Sequence, residues 1–94
     1  MVIKVNEYFN GNVKSLGITL SDGPATIGVI APGEYEFGTS TKEIMSVTAG
    51  MLEAQLPGSA TWTAFPQGAS FEVAKGQKFK VRAQADVAYL CLYR

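Results

Sequence analysis

Signals for a turn recur about every ten residues in this chain, a spacing that leaves room for strands and for little else. The breaks fall at Asn10-Gly11-Asn12, Ser21-Asp22-Gly23-Pro24, Pro32-Gly33, Ala49-Gly50, Pro57-Gly58-Ser59, Pro66-Gln67-Gly68, Ala74-Lys75-Gly76 and Gln84-Ala85-Asp86. Such residues reach left-handed backbone angles, fix φ, or fold a side chain onto their own backbone, so they punctuate rather than continue regular structure. Between them the chain is short and rich in β-branched and aromatic residues. Strands are expected at 13–20, 25–31, 34–38, 44–48, 51–56, 61–65, 69–73, 77–83 and 87–93, after a short mixed segment at 2–9. Residues 39–42 read as a polar loop. In 34–38 acids and aromatics alternate, which places Tyr35 and Phe37 on one face and Glu34 and Glu36 on the other. No stretch combines a 3.6-residue apolar period with helix caps. An all-β sandwich or barrel follows.

Ninety-four residues suit one domain, residues 1–94, with a single core. Eight basic residues balance eight acidic ones, so electrostatics offers no case for nucleic acid or an anionic membrane. The longest apolar runs are far too short to span a bilayer. The first residues, M-V-I-K-V-N-E-Y, lack the basic and long apolar regions of a secretory signal, so a cytoplasmic protein is expected. The lone Cys91 leaves no internal disulfide to form.

The stretch from Gly33 to Gly50 adds a second constraint. Pro32-Gly33 opens it, and Glu43 is followed by six residues and then Gly50. A cupin metal motif sets an opening glycine, a His-x-His pair, a glutamate and a closing glycine at this spacing, and here the paired-histidine positions fall on Phe37 and Thr39. A shorter cupin pattern, Pro-x-Gly-x-x-His followed by Asn, maps onto Pro66, Gly68, Phe71 and Lys75. The two spacings resemble those of cupins and select the jelly-roll barrel among all-β folds. The chain has no histidine, and one cysteine with scattered acids makes no zinc site, so no metal is expected.

In that register alternation turns Tyr35, Phe37, Thr39, Glu43, Met45, Phe71 and Val73 inward, while Val87, Tyr89, Cys91 and Tyr93 share one face of the last strand. A barrel lined by aromatics with one carboxylate suits a flat, partly polar ligand such as a nucleobase. Stacking contributes about 1–3 kcal/mol per base, and a carboxylate accepts from ring or amino N–H groups. Yet Tyr35, Phe37, Phe71 and Tyr89 would equally fill a small barrel that binds nothing. Glu43 also has two readings. Inside an apolar barrel its charge costs several kcal/mol unless partnered, which argues for function; on the rim it is simply solvated. Lys14, Lys75 and Arg82 read as surface charges, any one of which could instead meet an anion, and Cys91 as a small core residue. The lack of histidine removes Ser-His and Cys-His nucleophile pairs, and there is no phosphate-binding glycine loop.

The blocks N-E-Y-F at 6–9, V-K-S-L-G at 13–17, G-E-Y-E-F at 33–37, E-I-M-S-V at 43–47, G-x-x-F-x-V at 68–73 and Y-L-C-L-Y at 89–93 resemble, in order and over essentially the whole chain, the small single-domain pyrimidine/purine nucleoside phosphorylases of the cupin superfamily. Those proteins lack the cupin histidines in the same way. The resemblance implies a transferase that cleaves purine and pyrimidine ribonucleosides with inorganic phosphate, giving free base and ribose 1-phosphate. Phosphate would be a co-substrate, and no cofactor is implied. By position, Glu43 is the catalytic candidate, and Tyr35, Phe37, Thr39, Thr41, Met45, Phe71 and Tyr89 are the substrate contacts. The phosphate donors stay open among Thr39, Ser40 or Thr41 with their loop amides, or a cation such as Lys14. By analogy with cupins, and because edge strands need cover, a homodimer is expected. Two other readings remain: a metal-free cupin that binds a small polar ligand without turnover, and a metal-free sugar isomerase or epimerase, which needs a base poised near neutral pH.

Overall fold

The computed structural model describes residues 2–94. β1 (Val5–Tyr8) runs into a 3-10 turn at Phe9–Gly11, and β2 (Val13–Leu20) and β3 (Gly23–Ile30) form a long hairpin. β4 (Gly33–Gly38), β5 (Glu43–Ala49), β6 (Met51–Gln55), β7 (Thr63–Pro66), β8 (Ser70–Val73), β9 (Lys78–Ala83) and β10 (Val87–Tyr93) follow. Strands form at every position where alternation placed one, with ends moved by a few residues. β7 ends on Pro66 rather than before it, because β7 is an edge strand where a missing N–H costs no ladder bond. β3 begins before Pro24 for a similar reason. Pro24 pairs only with Thr19 of β2, and the contact with β10 starts at Ala25.

The strands form two antiparallel sheets, ordered β1-β2-β3-β10-β5-β8 and β4-β9-β6-β7. After the β2–β3 hairpin the chain crosses between sheets at nearly every connection, which makes a jelly roll. Val13, Ile30, Val47, Phe71, Val73 and Val87 of the larger sheet face Tyr35, Leu52, Ala54, Phe79 and Val81 of the smaller one, all of them buried. Each large side chain so buried contributes about 1.5–3 kcal/mol. Thr48 is an extra residue in β5: Ala49 pairs with Ala88, but Val47 pairs with Tyr89. This bulge keeps Val47 and Tyr89 together on the inner face.

The outer faces differ. On the smaller sheet Glu34, Arg82 and Glu53 line up across the strands, and the Arg82 guanidinium donates to both carboxylate oxygens of Glu53 at 3.1 Å while lying 4.2 Å over the Trp62 ring. On the larger sheet the corresponding row is Val5, Leu16, Ile27 and Leu90. Leu16 and Ile27 are 44% and 51% exposed. No helix among the described residues is long and apolar enough to cross a membrane.

Candidate active site

A cavity of about 240 Å³ lies between the sheets. Its apolar wall comes from Ile30 of β3, Phe37 of β4, Met45 of β5 and Phe79 of β9. Its polar groups are Ser15, Ser40, Glu43, Cys91 and the phenols of Tyr8, Tyr89 and Tyr93. These converge because of register. Tyr93 stands opposite Glu43 and Cys91 opposite Met45 on the neighbouring strand, while Asn6 and Ser15 face each other across β1 and β2 and bond at 3.2 Å. Tyr89 pairs with Gly28, and a Cβ on Gly28 would meet the Tyr89 ring at 2.5 Å. The ring therefore lies across β3 on bare backbone, a position that only glycine leaves open.

Glu43 is half-buried in this wall, and burial pushes its carboxyl above its ordinary value of 4.5, against the opposing effect of a hydrogen bond from Cys91. The Cys91 thiol donates to Oε1 of Glu43 at 3.5 Å. Burial, with the nearby Glu43 charge, pushes that thiol up to about 12, so Cys91 is a proton-bearing donor and not a thiolate nucleophile. Burial likewise pushes the Tyr89 phenol up to about 12. Tyr93 is raised as well, chiefly by burial, and its hydroxyl pairs with Thr26 Oγ1 at 2.9 Å. Among the described residues no Lys or Arg lines the cavity.

Of the residues expected at the site, Phe37, Glu43, Met45 and Tyr89 meet on the cavity wall. The other four lie elsewhere. Tyr35 is turned back on its own corner, where its hydroxyl donates to Ala31 O at 2.9 Å and Pro32 O at 3.1 Å. Thr39 is buried and clamps the β8–β9 turn: its hydroxyl donates to Ala74 O at 2.6 Å and accepts from Gln77 N at 3.0 Å. Thr41 contacts Lys42 O at 3.4 Å. Phe71 sits behind the wall, stacked at 4.6 Å on Phe65 and 6.2 Å from Phe79. Among the proposed phosphate donors, Ser40 lines the cavity, whereas Lys14 belongs to the outer face of β2, 3.6 Å from Glu7. Glu43 stands half-buried on the cavity wall, between the interior and the rim readings.

Phe79, Tyr8 and Ser15 were not among the expected contacts. Phe79 could have been found, since Phe79, Val81 and Ala83 alternate along 77–83. Tyr8 and Ser15 depend on how β1 pairs with β2, which alternation within one strand does not reveal. Phe9 and Asn10 adopt left-handed angles, with φ of 53° and 58°. Such a conformation costs a phenylalanine about 1–3 kcal/mol. Here it drops the Phe9 ring onto Tyr35 and Phe37, at 5.0 and 5.5 Å, and closes the aromatic cluster beside the cavity.

The cupin ligand positions do not make a metal site. Phe37, Thr39, Glu43 and Phe71 offer one carboxylate and a committed hydroxyl, and no three His, Cys, Asp or Glu side chains gather among the described residues.

Residues 3–93 match the family described as pyrimidine/purine nucleoside phosphorylase. A protein of Pseudomonas fluorescens with that name is 55% identical over 93 residues, spanning 99% of both chains. Among solved structures, a protein of unknown function from Vibrio parahaemolyticus is 42% identical over 97% of each chain, with a TM-score of 0.92. A putative ethanolamine utilization protein Q from Salmonella typhimurium, only 12% identical, shares the fold with a TM-score of 0.74.

Proposed function

The chain belongs to the pyrimidine/purine nucleoside phosphorylase family, and from that premise we propose that its cavity binds purine and pyrimidine ribonucleosides and transfers their ribosyl group to inorganic phosphate without a metal. The observation that carries this reading is Glu43: a carboxyl with a raised proton affinity, set in an aromatic-walled cavity that no cation among the described residues lines. The base lies between Phe37, Phe79 and Tyr89. A phosphate oxygen forms a bond to the anomeric carbon as the glycosidic C–N bond breaks, through an oxocarbenium-like sugar. The C–N electron pair passes to the base nitrogen, and the base takes up one proton. Glu43 supplies it. The Cys91 thiol donates to Oε1, which leaves Oε2 to face the base, and general acid catalysis of this kind is worth about 10²–10⁴-fold. Orientation and electrostatics provide the rest.

The lone, buried Cys91 suits a reducing cytoplasm. The working unit in this reading is a homodimer joined through the apolar outer face of the larger sheet. That face contrasts with the charged one opposite, and two copies with a net charge of zero do not repel. Purified protein incubated with uridine or inosine tests the activity. Base release that needs added phosphate is expected; ligand binding with no release would sink the proposal.

A further inference from the structure

We propose that Lys4 holds the phosphate co-substrate, in an open groove that adjoins the cavity at Tyr8 and Tyr93; the assignment rests on the phosphorylase reading above. Among the described residues the cavity offers an oxyanion no cation, and its volume of about 240 Å³ is below the roughly 300–1,000 Å³ of pockets that enclose a whole drug-sized ligand. The base fills it, and the sugar with its incoming phosphate extends past the mouth. A groove of about 940 Å³ begins there, sharing Tyr8 and Tyr93 with the cavity.

Among the described residues Lys4 is the one cation lining either space. Gly17 aims it. Lys4 O accepts from Gly17 N at 2.8 Å, and a Cβ on Gly17 would meet Lys4 Cβ at 3.5 Å. Gly17 alternates with the buried Val13 and Ser15, so the side chain of Lys4 starts on the inner face of the sheet, over a position that glycine leaves bare. Beyond Gly17 in the same row comes Thr26, whose hydroxyl is paired with Tyr93 at the junction of the two spaces. No acidic side chain lines the groove, and Lys4 makes no ion pair among the described residues. Three of the other cations are ion-paired, Lys14 to Glu7, Arg82 to Glu53, and Arg94 to Asp22 at 2.9 Å, and Lys42, Lys75, Lys78 and Lys80 line neither space.

The test is steady-state kinetics with phosphate varied at saturating inosine, on the parent, Lys4→Met, Lys4→Arg and, as a charge control, Lys75→Met. Lys4→Met should raise the phosphate KM about 10- to 100-fold, the loss of one charge-assisted contact, while the inosine KM moves less than about twofold. Lys4→Arg should restore most of the phosphate affinity, and Lys75→Met should match the parent. A parent whose turnover needs phosphate, beside a Lys4→Met protein with unchanged phosphate KM, overturns the assignment and leaves the phosphorylase reading standing. Base release that ignores phosphate in the parent overturns both. Should Lys4→Met melt early, Lys4→Gln is measured instead, with the same expected rise in phosphate KM and the same overturning result.

Discussion

Glu43 is where chemistry and stability pull against each other. Burial makes ionising its carboxyl costly and so raises its proton affinity, which is the property the proposed acid role draws on. Glu43→Gln keeps the volume and removes the transferable proton. It should lower kcat/KM about 10- to 1000-fold, or roughly 1.4–4 kcal/mol of transition-state stabilisation. The same variant has a signed effect on stability. Because the folded protein raises this pKa, the carboxyl favours the folded state below its unfolded value near 4.5, and that contribution is lost as pH rises through the raised value. Melting temperatures of parent and Glu43→Gln, compared from pH 4 to pH 8, should therefore shift in favour of the glutamine as pH rises. A difference independent of pH would mean that Glu43 is solvated. The spacing of Glu43 to Gly50 already singled this residue out, although it left rim and interior equally open. Thr39 shows the opposite case. Its place in the motif looked like a ligand position, but its hydroxyl donates its one proton to Ala74 O and accepts from Gln77 N, holding a turn formed far along the chain that the motif spacing does not reveal.

Strands were legible because turn chemistry and alternation are local. The walls of the cavity were legible where alternation within a strand carries them, as with Phe37 on β4, Glu43 and Met45 on β5 and Tyr89 on β10. Tyr8 and Ser15 reach the site through the pairing of β1 with β2, and the glycine at 28 matters only because Tyr89 lies opposite it. That pairing makes a prediction. Gly28→Ala forces a Cβ to within 2.5 Å of the Tyr89 ring, so the ring must swing into the cavity or the strands must part. Overpacking of this kind costs about 1–3 kcal/mol, and each kcal/mol lowers the melting temperature of a domain this size by about 4–8 °C. Activity should fall in the fraction that stays folded. A variant with parental melting and turnover would show that Tyr89 does not rest on Gly28.

At the scale of the whole molecule, the two sheets present unlike outer faces. Val5, Leu16, Ile27 and Val29 leave apolar surface on one side, while Glu34, Glu53 and Arg82 form an ordered charged row on the other. Sedimentation at micromolar concentration should give a mass near twice the 10.0 kDa of one chain. Ile27→Asp should return it to a single chain, and a parent already sedimenting near 10.0 kDa would remove the dimer from the account. The jelly roll sets one carboxyl in an aromatic-walled cavity, and the proposed reaction there moves a ribosyl group onto phosphate. Phosphorus NMR of the purified protein with uridine and inorganic phosphate follows that transfer directly. The inorganic phosphate signal should be replaced, one for one with uracil released, by that of ribose 1-phosphate, at a much lower rate in folded Glu43→Gln. Uracil appearing with the phosphate signal unchanged would contradict the proposed transfer.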